Sequence, residues 1–382
     1  MKIVAVEVQS TRIRTIRAHQ MAIGTTRFQE NTVVKLVAED GTFGYGESTH
    51  MVGHSQAGET PETDREIVRH KLAPATLGKN PMNQEALAQD LERAVPGNTQ
   101  TKGALIMAAY DLAGKQLGTP VSNLLGGCVR EAIPLSWSLP IVDAKAAVDE
   151  AVRMVERGWR ILKIKIGRPD PRDDAGVVGA VRAAVGEGVR LRADANQAYD
   201  RKTALAVARS LTPYNLDWME QPVHRDDLEG MALLTREAAM PIMADESAKS
   251  PEVLGEIIRR RAADAISIYI IGPGGLHNSK KMAALCQASG LRGYVGGNLE
   301  SIIGSAAGLH LAASSPAIDL GCEMCAQYLL EDDIGTRRLE MRDGALVVPD
   351  GPGLGVEVDE DKLAYYRSGD VERLELPERI AA

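Results

Sequence analysis

The constraint that most limits what this chain can fold into is a repeat of short apolar segments, each closing on a charged side chain. Leu162-Lys-Ile-Lys-Ile166, Leu191-Arg-Ala-Asp194, Trp218-Met-Glu220 and Ile242-Met-Ala-Asp245 follow one another, and Lys165, Asp194, Glu220 and Asp245 stand 29, 26 and 25 residues apart. Each interval is about the length of one strand, one helix and two loops. Segments 133–137, 265–269 and 292–295 have the same apolar character, and amphipathic stretches separate them. Roughly seven or eight such units in about 220 residues predict a β/α barrel of TIM-like, modified form rather than an open sheet. In such a barrel the chemistry sits at the carboxyl ends of the strands, where these charged residues fall.

Lys163 and Lys165 flank Ile164, so the two-residue strand period turns both lysines to one face. Their apolar neighbours Ile161, Leu162, Ile164 and Ile166 argue against a solvated edge strand. A single acid at a strand end is ordinary, because βα loops favour an acidic helix cap. Three in consecutive units would repel one another without a cation, and oxygen-only ligands suit Mg²⁺ or Mn²⁺. A lysine beside a metal and a second lysine is expected to have a lowered pKa and to exchange protons near neutral pH. The arrangement calls for proton transfer at a carbon next to a carboxylate, with the metal stabilising the enolate. A purely binding or structural barrel has no physical reason to hold three repelling acids against two lysines. Asn196 lies two residues past Asp194 and can face the same mouth or serve as a turn residue. Glu300, in Gly296-Gly-Asn-Leu-Glu-Ser301, fits either a site acid or a first-turn helix acid. Glu246 reads as a structural neighbour of Asp245.

With 382 residues and 44% hydrophobic content the chain can bury a large core and carry more than the barrel. Residues 1–125 read as an α+β capping domain: alternating strands near 2–8, 31–37 and 41–47, an acidic turn at Glu39-Asp-Gly41, and helical periodicity between about 61 and 125. The barrel is expected over residues 126–350, and residues 351–382 to return to the cap. A formal charge of −8 with interspersed basic residues excludes a coherent nucleic-acid-binding face. No apolar run approaches the roughly 20 residues of a membrane span, and Met1-Lys-Ile-Val-Ala-Val-Glu7 alternates like a strand rather than a signal segment. A cytoplasmic protein with no membrane partner is expected. Cys322-Glu-Met-Cys325 matches C-x-x-C, but no second pair or histidine cluster accompanies it, so the four cysteines are expected to be reduced thiols.

Together these residues resemble the enolase superfamily and, within it, the muconate-lactonizing subgroup. The likeness runs through His19-Gln-Met-Ala22, Gly97-Asn-Thr99, Gly114-Lys-Gln-Leu-Gly118, Leu124-Leu-Gly-Gly127, Ser136-Trp-Ser-Leu139, the Lys-x-Lys pair, the three acidic motifs, Gly274-Gly-Leu276, Gly296-Gly-Asn-Leu-Glu300 and Gly353-Leu-Gly355. It implies that Asp194, Glu220 and Asp245 bind Mg²⁺ or Mn²⁺, that Lys165 is the acid/base and that Lys163 supports the substrate carboxylate or tunes Lys165, in the enolate chemistry of that superfamily. It also implies substrate contacts from His19, Trp137, Asn196, Tyr269 and Glu300, and loops near 19–25 and 49–55 that shape specificity. Met21, Met51 and His54 there suggest a partly apolar pocket. The substrate would be a small carboxylate and the assembly a homo-oligomer. Tyr269 departs from the family pattern, standing where a second catalytic lysine is usual. That favours one-base chemistry: cycloisomerisation of cis,cis-muconate or a substituted muconate, or syn-dehydration of a β-hydroxy acid. An N-acylamino-acid or dipeptide epimerase would need a second group opposite Lys165.

Overall fold

The computed structural model describes residues 2–51 and 58–376. The chain starts as a long antiparallel meander, β1 (Ile3–Met21), β2 (Gly24–Ala38) and β3 (Phe43–Met51). Glu39-Asp-Gly41 turns β2 into β3, Gly41 taking a left-handed φ of 82° that a side chain would strain. The apolar face of this sheet is covered by α1 (Thr99–Leu117) at unusually close range. A Cβ on Gly46 would lie 2.0 Å from the Ala104 carbonyl oxygen, and one on Gly44 2.3 Å from that of Ala108. These two glycines let helix backbone rest directly on strand backbone.

Eight parallel strands then form the second layer: β4 (Trp137–Leu139), β5 (Ile161–Lys165), β6 (Arg190–Asp194), β7 (Leu216–Glu220), β8 (Ile242–Ala244), β9 (Ala265–Ile268), β10 (Arg292–Val295) and β11 (Ile318–Cys322). Seven helices join them: α2 (Ala144–Glu156), α3 (Pro171–Val185), α4 (Arg201–Leu211), α5 (Leu228–Glu237), α6 (Pro251–Arg260), α7 (Leu276–Ser289) and α8 (Ile302–Ser314). The sheet curls shut where Leu135 bridges Cys322 in parallel and the Ser136 N–H donates to the Cys322 carbonyl at 2.9 Å. Alternation along each strand sorts the side chains: Ile164, Leu191, Ala193 and Met219 join the main core. Their neighbours point inward, where Trp218, Met243 and Tyr294 make a separate apolar cluster and the Arg192 guanidinium stacks 3.9 Å from the Trp218 ring.

Two strands differ from the sequence expectation. The segment expected at 133–137 is split, because Ala132–Pro134 pairs antiparallel with Ala345–Val347 and the barrel strand is Trp137–Leu139. The last barrel strand, β11, was not distinguished at all: Ile-Asp-Leu-Gly-Cys mixes an exposed Asp319 and a positive-φ Gly321 into a short apolar run. At the far end the chain returns to the meander. β12 (Glu372–Glu375) pairs antiparallel with β1, and the Leu354 N–H donates to Asp111 of α1 at 2.8 Å.

Glu47 of β3 joins the two layers. Fully buried, it accepts hydrogen bonds from the Ser301 hydroxyl at 2.5 Å, the Gly304 N–H in the first turn of α8 at 2.9 Å, and Asn31 at 3.1 Å. Burial, with Asp333 and Glu300 nearby, outweighs these bonds and pushes its pKa up to about 8. Since the folded-state value lies above the unfolded one, ionisation opposes folding, and stability is lost as pH rises from about 4.5 to 8. Glu47→Gln lacks this titration. Its stability relative to the parent, measured by urea unfolding from pH 5 to 8, is expected to improve with pH by up to about 1.4 kcal/mol per unit. A constant difference would refute the assignment.

Candidate active site

Register assembles the site. Lys165 of β5 pairs with Asp194 of β6, and Asp194 with Glu220 of β7, so three strand ends present their charged residues side by side. Asp245 follows β8 directly and is held by Gln221, whose side-chain oxygen accepts from the N–H groups of Asp245 at 3.0 Å and Ser247 at 3.1 Å. Gln221, at φ 33°, and Asn196, at φ 41°, are non-glycine residues in left-handed backbone, strain of a kind that collects where side chains must be aimed at a functional centre.

Both lysines are buried inside the barrel, as their shared face implied. Lys163 donates to Glu220 at 3.0 Å and to Glu323, and its Nζ lies 3.3 Å from Asp194 Oδ2. Lys165 donates to Asp194 at 2.5 Å and to the Asn196 side chain at 3.0 Å. Trp218 Nε1 donates to the other Glu220 oxygen at 3.2 Å. Glu323, the residue after β11, was missed in the sequence because its strand was missed and its surroundings read as C-x-x-C. Beside it, Cys325 lines the same cavity as Lys163 and Lys165.

Burial favours the neutral amine, but Asp194, Glu323 and Glu220 outweigh it, so the protein groups by themselves hold the Lys165 ammonium above the usual lysine range; the lowering expected beside a metal concerns the loaded site. Asp194 is correspondingly depressed to about 2, against its burial, by Lys165 and Lys163. The other acids are compensated less. Burial raises Glu220 to about 7, and burial with Glu246 and Glu220 raises Asp245 well above the carboxylate range.

Among the described residues no three acid, histidine or cysteine side chains stand close enough to hold one ion as they are. The lysine ammoniums lie between the acids and act as counter-ions. The donor set nevertheless fits a hard cation: Asp245 Oδ1 and Glu246 Oε2 are buried without a hydrogen-bond partner, and Glu220 and Asp245 are only partly compensated by the protein.

The remaining expected contacts sort by strand parity and loop path. His19, Asn196 and Tyr269 line the cavity over Lys165 together with Met21, Ile23, Asn298 and Leu299. Tyr269, just past β9, donates its hydroxyl to Asp245 Oδ2 at 3.1 Å. Trp137 does not face this cavity. Its ring meets Trp159 at 4.9 Å between centroids and its Nε1 donates to Glu150 at 2.9 Å, because odd residues of β4 turn toward α2 while Ser138 turns inward. Glu300 lies beneath the 297–299 loop, accepting from the Asn298 N–H at 2.8 Å, and is not part of the cavity wall. The cavity is small, about 30 Å³, and shares Tyr269 and Asn298 with a wider chamber of about 670 Å³ lined by Glu59, Arg225, Asp245 and Lys249. The specificity segment at 52–55, including His54, lies outside the described residues, as does the side chain of Met51.

Titration calorimetry with Mn²⁺ checks the donor set. The protein is expected to bind one ion, and Asp245→Asn to weaken binding by about tenfold or more. Unchanged affinity in the variant would remove Asp245 from the set.

Known proteins share this fold over nearly the whole chain. Residues 3–126 match the family described as mandelate racemase / muconate lactonizing enzyme, N-terminal domain, and residues 146–362 that described as enolase C-terminal domain-like. A chloromuconate cycloisomerase of Pseudomonas putida is 35% identical over 96% of this chain and 99% of that protein. The crystal structure of a Pseudomonas fluorescens muconate lactonizing enzyme complexed with muconolactone superposes with a TM-score of 0.93 at 35% identity, covering 96% of this chain and 99% of that one. An N-succinyl Arg/Lys racemase of Bacillus cereus superposes with a TM-score of 0.94 at 31% identity, over 98% of this chain and 100% of that one.

Proposed function

The chain belongs to the mandelate racemase / muconate lactonizing enzyme family of the enolase superfamily and is an isomerase of the muconate cycloisomerase type, and on that premise we propose that it converts cis,cis-muconate or a substituted muconate to the muconolactone. The observation that carries this reading is the asymmetry of the cavity. Lys165 stands on the second of eight strands and Tyr269 follows the sixth, on opposite sides of the barrel, so an amine faces one side of the substrate and a phenol the other. Burial, reinforced by Asp245, holds that phenol neutral.

Asp194, Glu220 and Asp245 would hold the divalent ion, Mg²⁺ or Mn²⁺, as the family does in general. Bound there, it would neutralise the acids and polarise a substrate carboxylate. One carboxylate oxygen of the diacid adds to the conjugated diene and closes the lactone ring, and the displaced electron pair becomes the enolate of the other carboxylate. The Lys165 ammonium delivers its proton to the α-carbon, and solvent restores the lysine. Asp194 and Asn196 keep Lys165 oriented, and Glu220 and Glu323 balance Lys163. Residues 1–125 and 351–382 would act as the cap, with His19, Met21 and Ile23 over the substrate. Unpaired cysteines suit a cytoplasmic setting, and among the described residues no helix is long and apolar enough to cross a membrane. Homo-oligomerisation is checked by light scattering.

The purified protein with Mn²⁺ is expected to bleach the ultraviolet absorbance of cis,cis-muconate or 2-chloromuconate, and Lys165→Met to slow this by about 10²–10⁴-fold. Unchanged absorbance with both diacids would sink the reading. The likeness to a racemase suggests a second test, since two-sided proton exchange needs an acid/base on each face. Tyr269→Lys is expected to lose most cycloisomerase activity and to gain solvent-deuterium exchange into both enantiomers of an N-succinylamino acid. Such exchange in the unmodified protein would favour epimerisation instead.

A further inference from the structure

His19 sits at the C-terminal end of β1 with both ring nitrogens engaged, and the partners differ in kind. Arg17 Nη1 lies 2.9 Å from His19 Nδ1. A guanidinium has only N–H donors and stays charged, so Nδ1 must accept with its lone pair. A neutral imidazole carries one hydrogen, which therefore resides on Nε2. That nitrogen is 3.5 Å from the Ser138 hydroxyl, and both groups line the cavity with Lys163 and Lys165. The doubly protonated ring is disfavoured by burial first, then by the charges of Arg17, Lys165 and Lys163.

Arg17 is itself clamped. Its Nε and Nη2 donate to Glu150 at 3.1 and 2.7 Å, and Nη2 also donates to the Ser138 carbonyl at 2.8 Å. Glu150 in turn accepts from Trp137 Nε1. One arginine from the capping meander thus holds the imidazole and the backbone of the first barrel strand together, and an acid of α2 holds the arginine. An ordinary strut between two layers would not need its last link to be a histidine nitrogen aimed past it into the cavity.

We propose that Arg17 locks His19 in the Nε2–H tautomer, and that this N–H reads an acceptor oxygen of the substrate, a carboxylate or lactone carbonyl. This makes Arg17 a positioning residue, and the proposal rests on the carboxylate-isomerase reading above. Beside two ammoniums, a fixed neutral donor selects oxygen ends and rejects groups that present N–H or cationic nitrogen. Trp137 then matters to the substrate only through Glu150 and Arg17, which accounts for a tryptophan next to the site that does not enter it.

The decisive measurement needs no substrate. Long-range ¹H–¹⁵N correlation on histidine-labelled full-length protein with Mg²⁺ at pH 7.5, assigned with His19→Gln, is expected to show His19 neutral and protonated at Nε2. A Nδ1–H or doubly protonated ring overturns the proposal while leaving the reaction assignment intact. In Arg17→Met the tautomers are expected to mix and the KM for cis,cis-muconate to rise about tenfold, with kcat within about threefold. Arg17→Lys, which keeps a donor, is expected to recover part of both. An Arg17→Met protein that melts earlier but keeps the tautomer and KM would reduce Arg17 to a strut and overturn the proposal. Should Arg17→Met fail to fold, Glu150→Gln loosens the same clamp and is read the same way. If muconate is not turned over at all, the reaction assignment fails and the tautomer still tests Arg17.

Discussion

Everything at the carboxyl rim of the barrel depends on charge compensation among buried groups. Strand register places Asp194 beside Glu220 and brings Asp245 next to them, an arrangement whose mutual repulsion would oppose folding if left unbalanced. Lys163 supplies one ammonium to Asp194, Glu220 and Glu323, and Lys165 another to Asp194. The balance is uneven. Asp194 is strongly stabilised as the anion while Glu220 and Asp245 are not, so a cation would gain most at those two acids. A buried ion cluster of this kind adds little to stability by itself, because desolvation offsets attraction, and its value here is chemical.

Two of the ties between the cap and this rim differ in their physics. Glu47 reaches from β3 to the N-terminal turn of α8, where unpaired N–H groups welcome a carboxylate even though burial opposes its charge. Arg17 reaches from β1 to β4 and α2, hydrogen-bonded to the Ser138 carbonyl and paired with Glu150. Both links act on residues close to the cavity, so the position of the cap and the shape of the site are set together. The small chamber over Lys165, walled by Met21 and Ile23 from the cap, is a direct result.

Much of the site was legible because it is written in local rules. Unit length placed Lys165, Asp194, Glu220 and Asp245 at strand ends, and the two-residue period turned both lysines inward. At β4 the resemblance pointed to Trp137, but the strand begins at Trp137 and its parity turns Ser138, not Trp137, to the mouth. Glu323 was illegible for another reason: Asp319 and Gly321 interrupt the apolar run of β11, which is completed as a strand by β10 on one side and Leu135 on the other. Glu300 followed a glycine-rich loop whose path no periodicity describes, and that loop leaves it under Asn298.

By itself the sequence determined the barrel, the two inward lysines and the three acids at consecutive strand ends, since each follows from spacing and parity within one unit; Tyr269 stood out only through the family resemblance. The tertiary structure alone decided which strand closes the barrel, that Glu323 joins Lys163, that Tyr269 meets Asp245 across 3.1 Å, and that Arg17 meets His19 rather than solvent. Apart from Arg17 and His19, which share β1 but are aimed by Ser138 and Glu150, these are contacts between segments far apart in the chain, and loop closure and cap docking, not local pattern, bring such segments within hydrogen-bonding distance.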